Sequence, residues 1–168
     1  MKASTWAISS RAMRTTENNV ITVPKMDDLM PVLLETLNAG KQVQLSPRGT
    51  SMLPMIRQGD DRVVLAPVSD APEKYDVALY RSDNGQYMLH RIVEVSDTFT
   101  FMGDSRFASE TGIRKEQIIG VMTGFYRGEN YYSAKHRGYR LYCVLWHGTR
   151  PVRHFIHRAI GWLRRHLK

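Results

Sequence analysis

Asn84-Gly85, within Ser82-Asp83-Asn84-Gly85, separates two alternating runs, Asp76 to Arg81 and Gln86 to Val95. Asn and Gly tolerate the positive φ angles that a tight hairpin turn requires. An Asn-Gly step between such runs therefore commits this part of the chain to an antiparallel strand pair. Successive strand residues point to opposite faces. Tyr87, Leu89, Arg91, Val93 and Val95 thus share one face of the second strand, and Met88, His90, Ile92 and Glu94 share the other. Further strands are predicted at Val43 to Leu45, Val63 to Leu65, Thr98 to Met102 after a Ser96-Asp97 turn, and Gln117 to Arg127 as a closing strand. A helix is predicted over Asp27 to Ala39, where Met26, Leu29, Met30, Leu33, Leu34 and Leu37 recur at helical spacing. Asp27 and Asp28 suit its first turn, Pro31 is tolerated near the start, and Gly40 is a stop. The expected fold is mainly β, with an N-terminal helix and a basic amphipathic helix at the C-terminus.

The 168 residues suffice for one domain, and a 42% hydrophobic content suffices for its core. The expected division is an irregular segment at 1–24, a main body at 25–130 and a basic extension at 131–168. The single Cys143 excludes an internal disulfide and a cysteine-cluster metal site. The polar first two dozen residues hold no apolar core of the secretory-signal kind. No segment has the apolar length of a membrane span.

The formal net charge of +8 is unevenly placed. No acidic residue follows Glu129, whereas Lys135, Arg137, Arg140, Arg150, Arg153, Arg158, Arg164, Arg165 and Lys168 do. The whole basic excess therefore lies in the tail. From Arg150 to Lys168, Val152, Phe155, Ile156, Ala159, Ile160, Leu163 and Leu167 form an apolar stripe at helical spacing, with most of the basic residues off it. Such a helix, with Trp162, reads either as an element lying on an anionic membrane surface or as a helix packed on its own domain. Basic charge alone does not specify a nucleic acid, and none is expected as a partner.

Gly49-Thr50-Ser51-Met52-Leu53-Pro54-Met55-Ile56 precedes a Gly59-Asp60 turn and the apolar Val63-Val64-Leu65. Gly49 lets the backbone approach a bound group, and Pro54 fixes a torsion just beyond the serine. A hydroxyl on a stiff loop suits a nucleophile, which needs a base nearby. A surface turn uses the same residue types. Downstream come His90-Arg91-Ile92 and Phe101-Met102-Gly103-Asp104-Ser105. Taken singly, His90 beside Met88 and Ile92 reads as a core histidine, and Asp104 as a turn carboxylate.

Together, the Ser-Met-x-Pro box, the Gly-Asp turn, the His-Arg-Ile box and the second Gly-Asp box resemble the signal peptidase I and LexA-like superfamily of serine peptidases. The resemblance spans residues 43–125. It is to the histidine type, whose base is histidine where most bacterial members use lysine. It implies the β fold of that superfamily, with Ser51 as nucleophile, His90 as general base and Asp104 orienting the imidazole. Histidine suits the role because its ordinary pKa lies near neutrality. Glu110 is the other acid that could support it. The Ser51 N–H is the first oxyanion donor, in a binding segment made of Gly49, Thr50, Ser51 and Met52. Gly49 stands where many bacterial members carry a hydroxyl, and Ser105 where the family's box has asparagine. No lysine lies between Lys74 and Lys115, which removes a Ser–Lys dyad and the closest likeness to LexA-type repressors.

The expected activity is signal-peptidase-like proteolysis of a leader or signal peptide through a Ser–His(–Asp) mechanism, with no metal or organic cofactor. Two alternatives stand beside it: a non-catalytic peptide-binding module on the same fold, and a peptidase dedicated to one co-produced precursor. The family's classical members carry an N-terminal membrane anchor. Without one in view, a cytoplasmic or peripheral-membrane location is expected.

Overall fold

The computed structural model describes residues 26–166. Helix α1 (Met26–Asn38) leads into strands β1 (Val43–Leu45), β2 (Asp61–Ala66), β3 (Val77–Arg81), β4 (Tyr87–Val95), β5 (Phe99–Met102) and β6 (Ser109–Ile113). A 3-10 turn (Lys115–Gln117) precedes β7 (Ile118–Arg127) and β8 (Asn130–Ser133), and helices α2 (Arg137–Gly148) and α3 (Arg150–His166) complete the chain. The strands form one antiparallel sheet in the order β1-β2-β7-β3-β4-β5-β6, with β8 paired to β7. The fold is thus mainly β with an N-terminal helix and C-terminal helices, as the residue pattern predicts.

The β3–β4 hairpin shows how local chemistry sets register. Gly85 takes φ 85°. The Ser82 N–H donates to the Gln86 carbonyl at 2.9 Å, and the Gln86 N–H donates to Asn84 Oδ1 at 3.0 Å. The resulting register sets Ala78 opposite His90 and Tyr80 opposite Met88. A slip of one residue would turn every side chain to the other face.

The alternation divides the apolar side chains between two cores. Val77 and Leu79 join Met30, Leu33 and Leu37 of α1, Val63 and Leu65 of β2, and Met122 and Phe125 of β7. Ala78 and Tyr80 join Ile92, Phe99, Phe101, Ile113 and Ile118 on the opposite face, where Tyr80 stacks on Phe101 at 4.1 Å between centroids. Each fully buried Val, Leu or Ile contributes roughly 1.5–3 kcal/mol. Truncating Leu33, which joins α1 to the sheet, would cost about 2–5 kcal/mol.

Three elements depart from the expected pattern. β7 does not close the sheet, because the chain turns at Gly128 and β8 pairs back on it. β6 is a mostly exposed, polar edge strand with no alternation to betray it. Within the expected extension at 131–168, the unpredicted helix α2 places Tyr139 and Cys143 in the same core as α1 and β2. The irregular segment expected at 1–24 lies outside the described residues, as do Leu167 and Lys168.

Candidate active site

The loop between β1 and β2 carries Ser51 and is anchored from both sides. Met52 and Ile56 sink into the core, 4% and 2% exposed, and the Ile56 N–H donates to the Met52 carbonyl at 2.9 Å. The Leu53–Pro54 peptide bond is cis. The Gly49 N–H donates to Gln58 Oε1 at 2.7 Å. At the far end, Asp61 accepts from the Arg57 N–H at 2.8 Å and takes Arg127 with both carboxylate oxygens, each at 2.9 Å. Ser51, held between these anchors, is half-buried. Among the described residues, neither its Oγ nor its backbone N–H has a hydrogen-bond partner. The N–H therefore remains free for an oxyanion. The Gly49 N–H does not, and the Met52 side chain is committed to the core rather than to a ligand.

Gly103 explains how the serine loop meets the sheet. A Cβ at this position would stand 2.6 Å from the Ser51 carbonyl oxygen and 3.0 Å from Ser51 Cβ, so only glycine allows the approach. The β4–β5 pairing ends with Arg91 opposite Met102, so His90 and Gly103 are the next residues beyond it on their two segments. Ser105 holds the arrangement. Its N–H donates to the Ser51 carbonyl at 2.9 Å, and its Oγ donates to the Thr50 and Ser51 carbonyls at 2.8 and 3.1 Å. Ser105 is thus a clamp on the serine loop.

His90 is 8% exposed. Its Nδ1 lies 3.2 Å from Tyr80 Oη, which donates to Glu110 Oε2 at 2.7 Å. Burial first, then Glu110, raises the Tyr80 pKa, so the phenol keeps its single proton. With that proton given to Glu110, Tyr80 Oη can only accept from His90, which puts the neutral imidazole's hydrogen on Nδ1 and the lone pair on Nε2. Nε2 is not sealed in. Among the described residues, the buried side-chain nitrogens and oxygens lacking a partner are Tyr142 Oη and Arg153 Nε. Burial pulls the His90 pKa below its ordinary 6.5, and Arg106 lowers it further, while Glu110 and Asp104 oppose them. The net effect is a neutral imidazole near pH 7.

Asp104 does not take the expected place behind His90. Its two oxygens accept from Arg91 Nε at 2.8 Å and from Arg91 Nη2 at 2.7 Å, with both side chains fully buried. His147 Nε2 stands 3.3 Å from Asp104 Oδ1, and Trp146 Nε1 donates to the Asp104 carbonyl at 2.9 Å. Burial alone would raise the Asp104 pKa, but hydrogen bonds from Arg91 and His147 outweigh it and hold the carboxyl below its ordinary 3.8. The same guanidinium reaches the Tyr75 carbonyl, Tyr139 Oη and Cys143 Sγ. The physical reason is strand alternation: Arg91 points away from the His90 face, and Asp104 follows it. The acid linked to His90, through Tyr80, is Glu110.

Lys74 and Lys115 are both exposed and lie in a loop and in the 3-10 turn. Among the described residues, no group of three or more His, Cys, Asp or Glu side chains is placed to hold a metal ion, and no helix is long and apolar enough to cross a membrane. No protein-family model matches this chain, and no curated protein matches its sequence.

Proposed function

We propose that the protein is a serine endopeptidase of the signal-peptidase type, working through Ser51 and His90. The observation that carries this reading is the Glu110–Tyr80–His90 chain, which leaves an unprotonated Nε2 on His90, one residue before the Arg91 that pairs with Met102, while Gly103, next after Met102, lies against Ser51. His90 Nε2 takes the Ser51 proton as Oγ attacks a peptide carbonyl. The imidazolium then keeps its Nδ1–H on Tyr80, with the Glu110 charge behind it, and the Ser51 N–H receives the developing oxyanion. His90 gives its proton to the departing amine, and the acyl group on Ser51 is hydrolysed by water. The missing Ser51–His90 hydrogen bond is compatible with this chemistry, because such bonds often tighten only when substrate is bound. The resemblance in the Ser-Met-x-Pro and His-Arg-Ile boxes supports a leader or signal peptide as substrate, cut after small residues. A peptidase dedicated to one precursor fits the same site.

The unpaired Ser51 hydroxyl also favours a second reading, a peptide-binding module without turnover. One experiment separates the two. The full chain is treated with a serine-directed acylating probe and, separately, with leader peptides whose products are weighed by mass spectrometry. Probe on Ser51 together with a defined cut is the expected result. Peptide binding with an unlabelled Ser51 and no cut would establish the second reading.

A further inference from the structure

α3 does not bury its apolar residues on its own domain. The residues that hold its N-terminal half to the body are basic or polar. Arg150 donates to the Phe107 carbonyl, the Arg153 guanidinium lies 3.7 Å over the Trp146 ring, and His154 rests on Phe107 at 4.8 Å between centroids. The apolar side faces outward. Phe155 is 73% exposed and Val152 60%, with Ile156, Ile160 and Trp162 exposed as well. At 100° per residue, Val152, Ile156 and Ile160 fall on one stripe and Phe155 and Trp162 flank it. α2 adds exposed Leu141, Val144 and Leu145.

A covering partner is needed for this face, and the charge identifies its chemistry. No acidic residue occurs after Glu129, and the tail holds all of the protein's basic excess. A second copy of this chain would bring two such basic tails together, which is repulsive. An anionic bilayer offers acyl chains to the stripe and phosphate charge to the exposed Arg158 beside it. We propose that α3, assisted by the outer face of α2, lies in the surface of an anionic membrane. The Trp146–Asp104 and Arg150–Phe107 bonds fasten the joint between the two helices to the loop that clamps Ser51. The anchor therefore holds that loop at the lipid surface. The inference stands on exposure and charge, independently of any peptidase activity.

The test is flotation of the full chain with vesicles of phosphatidylcholine, with and without phosphatidylglycerol, at low and high salt. Binding to the phosphatidylglycerol vesicles at low salt should weaken about tenfold or more in high salt or on pure phosphatidylcholine. A Phe155→Ser/Ile156→Ser double variant should float at least about tenfold less, because the stripe no longer partitions. Its circular-dichroism spectrum and thermal unfolding should match the parent chain, which separates loss of lipid binding from loss of the fold. No flotation of the parent chain at low salt overturns the proposal, and so does flotation unchanged in the double variant. A lipid-free dimer that the double variant abolishes would assign the face to a second copy and overturn it equally.

Discussion

His90 and Arg91 are neighbours on β4, yet they belong to two different kinds of polar site. On one face, His90 is neutral, linked through Tyr80 to a half-exposed Glu110, and open at Nε2. On the other, Arg91 is sealed at 0% exposure with a carboxylate, a phenol, a thiol and a carbonyl around it. The first arrangement can gain and lose a proton. The second cannot do so without leaving a buried charge unpaired, which is costly. One strand therefore carries a site suited to chemistry and a site suited to holding α2 and the Asp104 loop together.

The comparison breaks most visibly at the nucleophile. Ser51→Ala should reduce peptide cleavage by about 10⁴-fold or more with thermal unfolding unchanged, because the hydroxyl has no substitute in the chemistry. An unchanged turnover would end the peptidase reading. On the other face, Asp104→Asn or Arg91→Met should cost roughly 3–5 kcal/mol in urea unfolding, since each strands one buried partner. Should Asp104→Asn keep full stability while losing activity, Asp104 would regain the orienting role and the division between the faces would fail.

A smaller effect is expected behind His90. Tyr80→Phe keeps the stacking on Phe101 but removes the acceptor for Nδ1–H. Turnover should fall about 10–100-fold, with little change in stability, as the Nε2 lone pair is no longer favoured. Equal turnover would show that the Tyr80–Glu110 chain only fills space.

The pH dependence sharpens the contrast further. His90 acts as base only when neutral, and its pKa is pulled below 6.5, so the acid limb of kcat/KM should have its midpoint below 6.5. Glu110 raises that pKa, so Glu110→Gln should move the limb to lower pH still. A limb that stays in place would detach Glu110 from His90. In stability, the unfolded chain binds a proton at this histidine before the folded one does. The His90 contribution is therefore present above 6.5 and is lost as pH falls towards the lower folded value. Asp104 likewise contributes above 3.8, and that contribution is lost as pH falls through its lowered folded value.

Much of this division is legible in the residue pattern. The Asn-Gly turn and the period-two runs give β3, β4 and the faces of His90 and Arg91, because a hairpin's pairing is local. The same register also carries a signal for Tyr80. With Ala78 opposite His90, Tyr80 is the diagonal neighbour on the His90 face, within reach for an aromatic side chain. β6, β8 and α2 were not legible. β6 and β8 are largely exposed, and α2 buries only Tyr139 and Cys143, too few to mark a stripe.

The sequence by itself determined the strand faces, the α1 stripe, the concentration of positive charge after Glu129 and the presence of a serine, a histidine and two candidate acids. Tertiary structure alone decided which acid serves which base. Asp104 and Glu110 lie close together in the chain, and nothing local distinguishes a carboxylate destined for a guanidinium from one destined for a phenol. The choice comes from β5 carrying Asp104 towards the Arg91 face and β6 returning Glu110 beside Phe101 on the Tyr80 face, 30 residues away from its partner. It comes also from α2, whose His147 and Trp146 close over Asp104 from 43 and 42 residues further on. The direction of α3 was decided in the same way. Its stripe was evident from periodicity, but only the exposure of Val152, Phe155, Ile156 and Ile160 shows that the domain leaves it uncovered.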